Sequence, residues 1–140
     1  MTKTVFAAAL AGASLLAAPT AAQDNRDDRP MTKGEERLAR ILEGRVAGEP
    51  QSCLRDRNAR SIARIDGTAL VYKSGRTIWV NVPRNAEAVD DSDVLVVRKF
   101  GSSALCRYDT ITLRDRFNGF YTGNLFLGDF VPYRLPEDAG

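Results

Sequence analysis

Hydrophobic and polar positions recur along this chain with two different periods, and the change between them falls near Cys53. Upstream, Leu38, Ile41, Leu42 and Val46 stand at i, i+3, i+4 and i+8 and form one apolar stripe. Glu35, Glu36, Arg37, Arg40 and Glu43 populate the other face. Thr32-Lys33-Gly34-Glu35 has the T-x-x-E spacing of a capping box, so the pattern predicts an amphipathic helix over 32–47, stopped by Gly48 and Pro50. Gly34 and Gly44 weaken such a helix, which then depends on docking its stripe, on the rest of the chain or on a partner.

From Cys53 onward the pattern is one of short β-runs between turn residues. Residues 61–65 form the first run, Asp66-Gly67 turns the chain, and 68–73 form the second. Ser74-Gly75 turns it again, and 76–82 run to Pro83 with Ile78, Val80 and Val82 on one face and Thr77, Trp79 and Asn81 on the other. These three runs predict an antiparallel meander. Residues 84–93, with Glu87, Asp90, Asp91 and Asp93, read as a solvated acidic loop. Strands are expected over 94–100 and 105–113, separated by Gly101-Ser102-Ser103. Phe117, Phe120, Tyr121, Phe126, Phe130 and Tyr133 then make an aromatic tail that has to be packed, as a sixth strand near 125–133 with Pro132 at an edge. The expected fold is mainly β: a small antiparallel barrel or strongly curved sheet of about five to six strands with one N-terminal helix.

The segment 1–22 stands apart from this folding pattern. Lys3 precedes an apolar run over 5–18, and Thr20 and Ala22 are the small residues a signal peptidase requires, so 1–22 reads as a secretory signal cleaved after Ala22. The run is short for a membrane span, and no transmembrane segment is expected in the mature chain. Residues 23–31 read as a flexible linker, 32–47 as the helix, 48–135 as the β-domain and 136–140 as a frayed tail. Export to the periplasm or exterior changes the reading of Cys53 and Cys106, because an oxidising compartment favours their pairing. The bridge closes a loop of about 53 residues, worth roughly 4 kcal/mol in the chain-entropy model. Loss of Lys3 leaves 19 basic residues against 18 acidic, net +1, which singles out neither nucleic acid nor membrane as partner.

The chain has no histidine, which excludes Ser-His-Asp and Cys-His catalysis and imidazole-based zinc sites. No phosphate-binding glycine loop, no G-x-S-x-G and no C-x-x-C occurs. Carboxylates remain. Asp56, Asp109, Asp115 and Asp129 are candidates for a hydrolase pair by position, and Asp109 stands out because it falls within a predicted strand. Its bland alternative is an ion pair with Arg98 or Arg107, or a turn hydrogen bond. The Asp90-Asp91-Ser92-Asp93 run lacks the spacing of a dedicated calcium loop. Arg55, Arg57, Arg60 and Arg64 form a basic cluster diluted by Asp56, and Trp79 is a candidate for ligand stacking or for core packing. No metal or cofactor is expected.

Several stretches resemble a family of small exported proteobacterial, sphingomonad-type proteins of unknown function: Cys53, 62–72, Trp79-Val80-Asn81-Val82-Pro83, Leu105-Cys106 with Asp109-Thr110, and Leu127-Gly128-Asp129-Phe130-Val131-Pro132-Tyr133. The resemblance covers 48–133, and its most specific pieces are Leu-Cys-x-x-Asp and Leu-Gly-x-Phe-x-Pro. Some members carry a second cysteine pair, which this chain lacks. The family brings no catalytic residues. The expected function is a non-enzymatic periplasmic binding or envelope-associated module, with an envelope protein or polysaccharide as partner and no nucleic acid. A secreted inhibitor using 84–93 as a plug is the alternative, and a carboxylate-based hydrolase the third. A binding module needs a concave patch, an inhibitor a rigid protruding loop, a hydrolase two close acids in a cleft.

Overall fold

Thr32 opens the first element of the structure, a computed structural model that describes residues 29–99 and 102–138. The expected signal segment, its cleavage site and most of the linker lie outside those residues. Thr32 Oγ1 accepts the Glu35 amide hydrogen at 3.2 Å while the Glu35 carboxylate accepts that of Thr32 at 2.7 Å, so the capping box is fully made. The helix α1 spans Lys33–Ile41, shorter than the 32–47 expected. Gly44 turns the chain at φ 71°, and Val46 and Ala47 leave the helical path to become a two-residue strand, β1 (Val46–Ala47).

The meander forms as β3 (Ile62–Ile65), β4 (Ala69–Ser74) and β5 (Thr77–Asn81), with Ile65 opposite Ala69 and Ser74 opposite Thr77. Its turns rest on Gly67 and Gly75, both at positive φ. The last strand, β10 (Phe130–Arg134), lies between β5 and β1, giving a five-stranded antiparallel sheet in the order β1-β10-β5-β4-β3. Pro132 therefore sits inside the sheet. Its carbonyl accepts from Gly48 N–H, so the donor it lacks faces the short outer segment and not β5.

The expected strand over 105–113 is two strands. β7 (Ala104–Cys106) pairs with β2 (Cys53–Arg55) as a separate ribbon, and β8 (Thr110–Asp115) lies between β6 (Asp93–Val97) and β9 (Tyr121–Phe126) in a three-stranded sheet. Cys53 and Cys106 are direct cross-strand partners with Cα atoms 4.0 Å apart, and they form the disulfide.

Two cores follow from strand alternation. On one face of the large sheet, Ile65, Ala69, Val71, Ile78 and Val80 are buried beneath Leu38 and Ile41 of α1 and Leu42 at its C-cap. On the other face Leu70, Tyr72, Trp79 and Phe130 meet Leu54 and Leu105 of the ribbon and Ile111, Leu113 and Leu125 of the small sheet. The aromatic tail divides: Phe130 is buried in the large sheet and Tyr133 packs on its α1 side, while Phe117, Phe120 and Tyr121 stand exposed about the β8–β9 turn. This overturns the expected barrel or strongly curved sheet of five to six strands. β1 and β3 remain the edges of the large sheet, none of the three sheets closes, and the described residues are mainly β-sheet with one α-helix. The reason is the segment after Pro83, which carries the chain out of the first sheet and into a second layer.

Candidate functional site

The Asp109 carboxylate accepts the Cys106 amide hydrogen at 2.7 Å, and the Asp109 amide donates to the Cys106 carbonyl at 2.9 Å. The residue belongs to the turn between β7 and β8, where its carboxylate makes the turn hydrogen bond. That turn presents Arg107 and Tyr108 outward. Arg107 donates to Asp129 Oδ1 at 3.0 Å and to the Tyr108 hydroxyl at 2.8 Å, with its guanidinium 5.0 Å from the Tyr108 ring centre. The Tyr108 hydroxyl and then the Asp129 carboxylate push the Arg107 pKa up, fixing its charge.

Facing this turn is the segment that carries Leu127, Gly128 and Asp129, held by a fully buried side chain. Asn81, on the core face of β5 beside Trp79, donates to the Gly128 carbonyl at 2.7 Å and accepts the Gly128 amide hydrogen at 3.1 Å. Both backbone groups of Gly128 are satisfied by one amide side chain. Gly128 lies against the Val82 carbonyl so closely that a Cβ would come within 2.5 Å of that oxygen. Arg84, two residues further on, stacks over Phe126 at 5.8 Å. Arg84, Arg107, Tyr108, Leu127, Gly128 and Asp129 together line an open groove of about 310 Å³.

This groove joins the two motifs singled out in the sequence. Arg107 and Tyr108 are the variable positions of Leu-Cys-x-x-Asp, and Asp129 is the first of the two in Leu-Gly-x-Phe-x-Pro. Sequence reasoning passed over Arg84, Arg107 and Tyr108 as site residues. The residue that holds the groove, Asn81, carried no signal in the alternation, where it shares a face with Thr77 and Trp79; its burial in the structure reveals it.

The remaining candidates fall elsewhere. Trp79 is buried in the core between the sheets, so it packs and offers no stacking face to solvent. Asp115 caps the β8–β9 turn by accepting from Phe117 and Asn118 N–H, and Asp56 pairs with Lys99. Arg64 donates to the Asp93 carbonyl at 2.6 Å, while Arg55, Arg57 and Arg60 are exposed. Asp93 is buried in β6, where it accepts from Thr122 Oγ1 at 2.8 Å, and so is not part of a solvated loop.

Asp66, Asp90 and Asp91 form an exposed acidic cluster with carboxylate oxygens within 4.8 Å of one another. Two of these carboxylates serve the turn itself: Asp66 accepts the Asp91 amide hydrogen at 2.7 Å, and Asp90 accepts from Ser92 Oγ and N–H, both at 2.7 Å. The Ser92 bonds, with Arg64 nearby, hold the Asp90 carboxyl below its usual range. Segment 84–93 lies against the body: Asn85 pairs with β9, Val89 is buried, and the Val89 carbonyl accepts from Gly67. The part that projects is the β8–β9 turn, where Phe117 is 91% exposed.

No helix among the described residues is long and apolar enough to cross a membrane. No family model, curated protein or solved structure matches the chain. The molecule is a small disulfide-bonded domain with a surface acidic cluster and a groove built where its two motifs meet.

Proposed function

We propose that this chain is an exported, non-enzymatic binding module of the cell envelope, freed from its signal near Ala22, with the Arg84–Arg107–Tyr108–Asp129 groove as its binding surface and an envelope polysaccharide as its partner. The observation that carries the reading is convergence: Cys106, Asp109, Asn81 and Gly128 are all spent on holding two short segments face to face, and the groove is what they hold. A scaffold of rigid elements presenting an open, charged and aromatic concavity suits recognition of a polar ligand. The carboxylates support a non-catalytic reading as well. Asp109 is held in its own turn, and the clustered acids Asp66, Asp90 and Asp91 are exposed. Retention of the protein on immobilised envelope polysaccharide tests this. Tyr108→Ala, at a residue 77% exposed, is expected to lose retention with an unchanged melting temperature. Equal retention of variant and wild type defeats the assignment of the groove.

One observation favours the alternative of a secreted inhibitor. The β8–β9 tip is stiffened by Asp115 and Asn118 side-chain bonds and by Arg114 donating to the Gly119 carbonyl at 2.9 Å, and it holds Phe117 and Phe120 out in solvent. Loss of partner binding in Phe117→Ser with retention intact would assign that role to the tip.

A further inference from the structure

We infer that the groove takes a carboxylate-bearing sugar, a uronic-acid residue within an acidic polysaccharide; the inference deepens the binding-module reading and rests on it. Charge is the first argument. Arg107 is compensated by Asp129 at 3.0 Å, whereas the Arg84 guanidinium makes no hydrogen bond or ion pair among the described residues and rests only on Phe126. The groove therefore holds one uncompensated positive charge on a planar fork of donors, and a carboxylate matches both the charge and the bidentate geometry. A phosphate monoester, at about −1.5 to −2 near neutral pH, would leave surplus negative charge beside Asp129.

The second argument is the chemistry of the other lining groups. Tyr108 is exposed, with the Arg107 guanidinium over one side of its ring and bonded to its hydroxyl, and the other face gives the C–H face of a sugar ring an apolar platform. Asp129 Oδ2 has no partner among the described residues and accepts from ring hydroxyls. An acidic peptide would instead seek a free strand edge. The edge that runs into the groove is β9, and it is already taken: Asn85 Nδ2 donates to the Asn124 carbonyl, the Phe126 amide donates to Asn85 Oδ1, and the Arg84 amide donates to the Phe126 carbonyl. At about 310 Å³ the groove lies at the small end of ligand sites and suits one or two sugar rings.

The test is an NMR titration of the oxidised full chain with trigalacturonate, its methyl ester, inorganic phosphate and a triglutamate peptide. Trigalacturonate is expected to shift the amides of Arg84, Arg107, Tyr108 and Gly128 and to bind roughly tenfold more tightly than the ester, the scale of one charge-assisted pair. Arg84→Gln is expected to weaken trigalacturonate binding about tenfold, to the level of the ester, and so to remove that preference. Equal binding of acid and ester at these residues overturns the carboxylate assignment and leaves the binding module standing. Tighter binding of phosphate or triglutamate overturns the uronate. Absence of shifts with all four probes overturns the inference, and the polysaccharide retention experiment decides separately whether the broader reading falls with it.

Discussion

Tyr72 is fully buried between the two sheets, edge-on to Phe130 with ring centres 5.8 Å apart, and its hydroxyl has no hydrogen-bond partner among the described residues. Burial pushes its pKa up, since the phenolate would lose its hydration. An unpaired buried hydroxyl costs about 1–3 kcal/mol, and phenylalanine fills the same ring volume without it. Tyr72→Phe is therefore expected to raise the unfolding free energy by about 1 kcal/mol in urea titration; a fall would mean that the hydroxyl is partnered. Glu35 makes the opposite kind of contribution. The Thr32 amide and then the Arg29 guanidinium hold its carboxyl below the ordinary value of 4.5. A depressed folded-state pKa gives stability that is fully present above the unfolded value and lost as pH falls through the folded one. The start of α1 should thus hold at neutral pH and loosen only below 4.5. The Thr32 amide shift is expected to titrate with a midpoint under that value and to stop titrating in Glu35→Gln; a midpoint above it contradicts the account.

Gly34 shows how an element can be legible in the sequence and its docking not. By propensity, alanine in a helix is better than glycine by about 1 kcal/mol. In the folded chain a Cβ at Gly34 would stand 2.6 Å from the Asp66 carbonyl and closer still to Thr68 Oγ1, because α1 presses onto the β3–β4 turn. Gly34→Ala is expected to lower the melting temperature despite its helix propensity, and Thr68→Ala in the same chain to recover only part of the loss, since the backbone oxygen stays. A rise in melting temperature would mean that the helix does not dock there. The capping box and the meander were readable because they are local: the box joins Thr32 to Glu35, and the meander closes at tight turns with Ile65 opposite Ala69 and Ser74 opposite Thr77. The end of the helix was not, since Val46 and Ala47 become strand only by pairing with Arg134 and Tyr133. Nor was the split of 105–113, where every residue suits a strand and Asp109 alone decides otherwise by bonding back to Cys106. The Arg84–Arg107–Asp129 groove was illegible for the same reason. Its members come from segments separated by some twenty residues or more, and Asn81, which joins them, shared its face with Thr77 and Trp79 and did not stand out until its burial was seen.

At the scale of the whole molecule, three sheets share one core while only the disulfide ties the β2–β7 ribbon covalently to itself. The ribbon is three residue pairs long, and a two-stranded pair of that size has little independent stability. Leu54 and Leu105 anchor it to the core by burial, and Cys53–Cys106 closes a sequence separation of 53 residues. The Leu105-Cys106 stretch therefore has two jobs: it constrains the unfolded chain and it sets the position of the Arg107–Tyr108 turn. The first predicts that Cys53→Ser/Cys106→Ser loses about 2–4 kcal/mol in denaturant titration. The second predicts where the loss shows first. In hydrogen exchange of the double variant, the Cys106 and Asp109 amides are expected to lose protection ahead of Val71 and Val80, which sit in the large sheet beneath α1. Arg107 would then lose its fixed distance to Asp129, and the groove would widen while the meander stayed folded. Uniform loss of protection across both groups would show that the bridge only stabilises the whole fold, and the separate role in holding the groove would be lost.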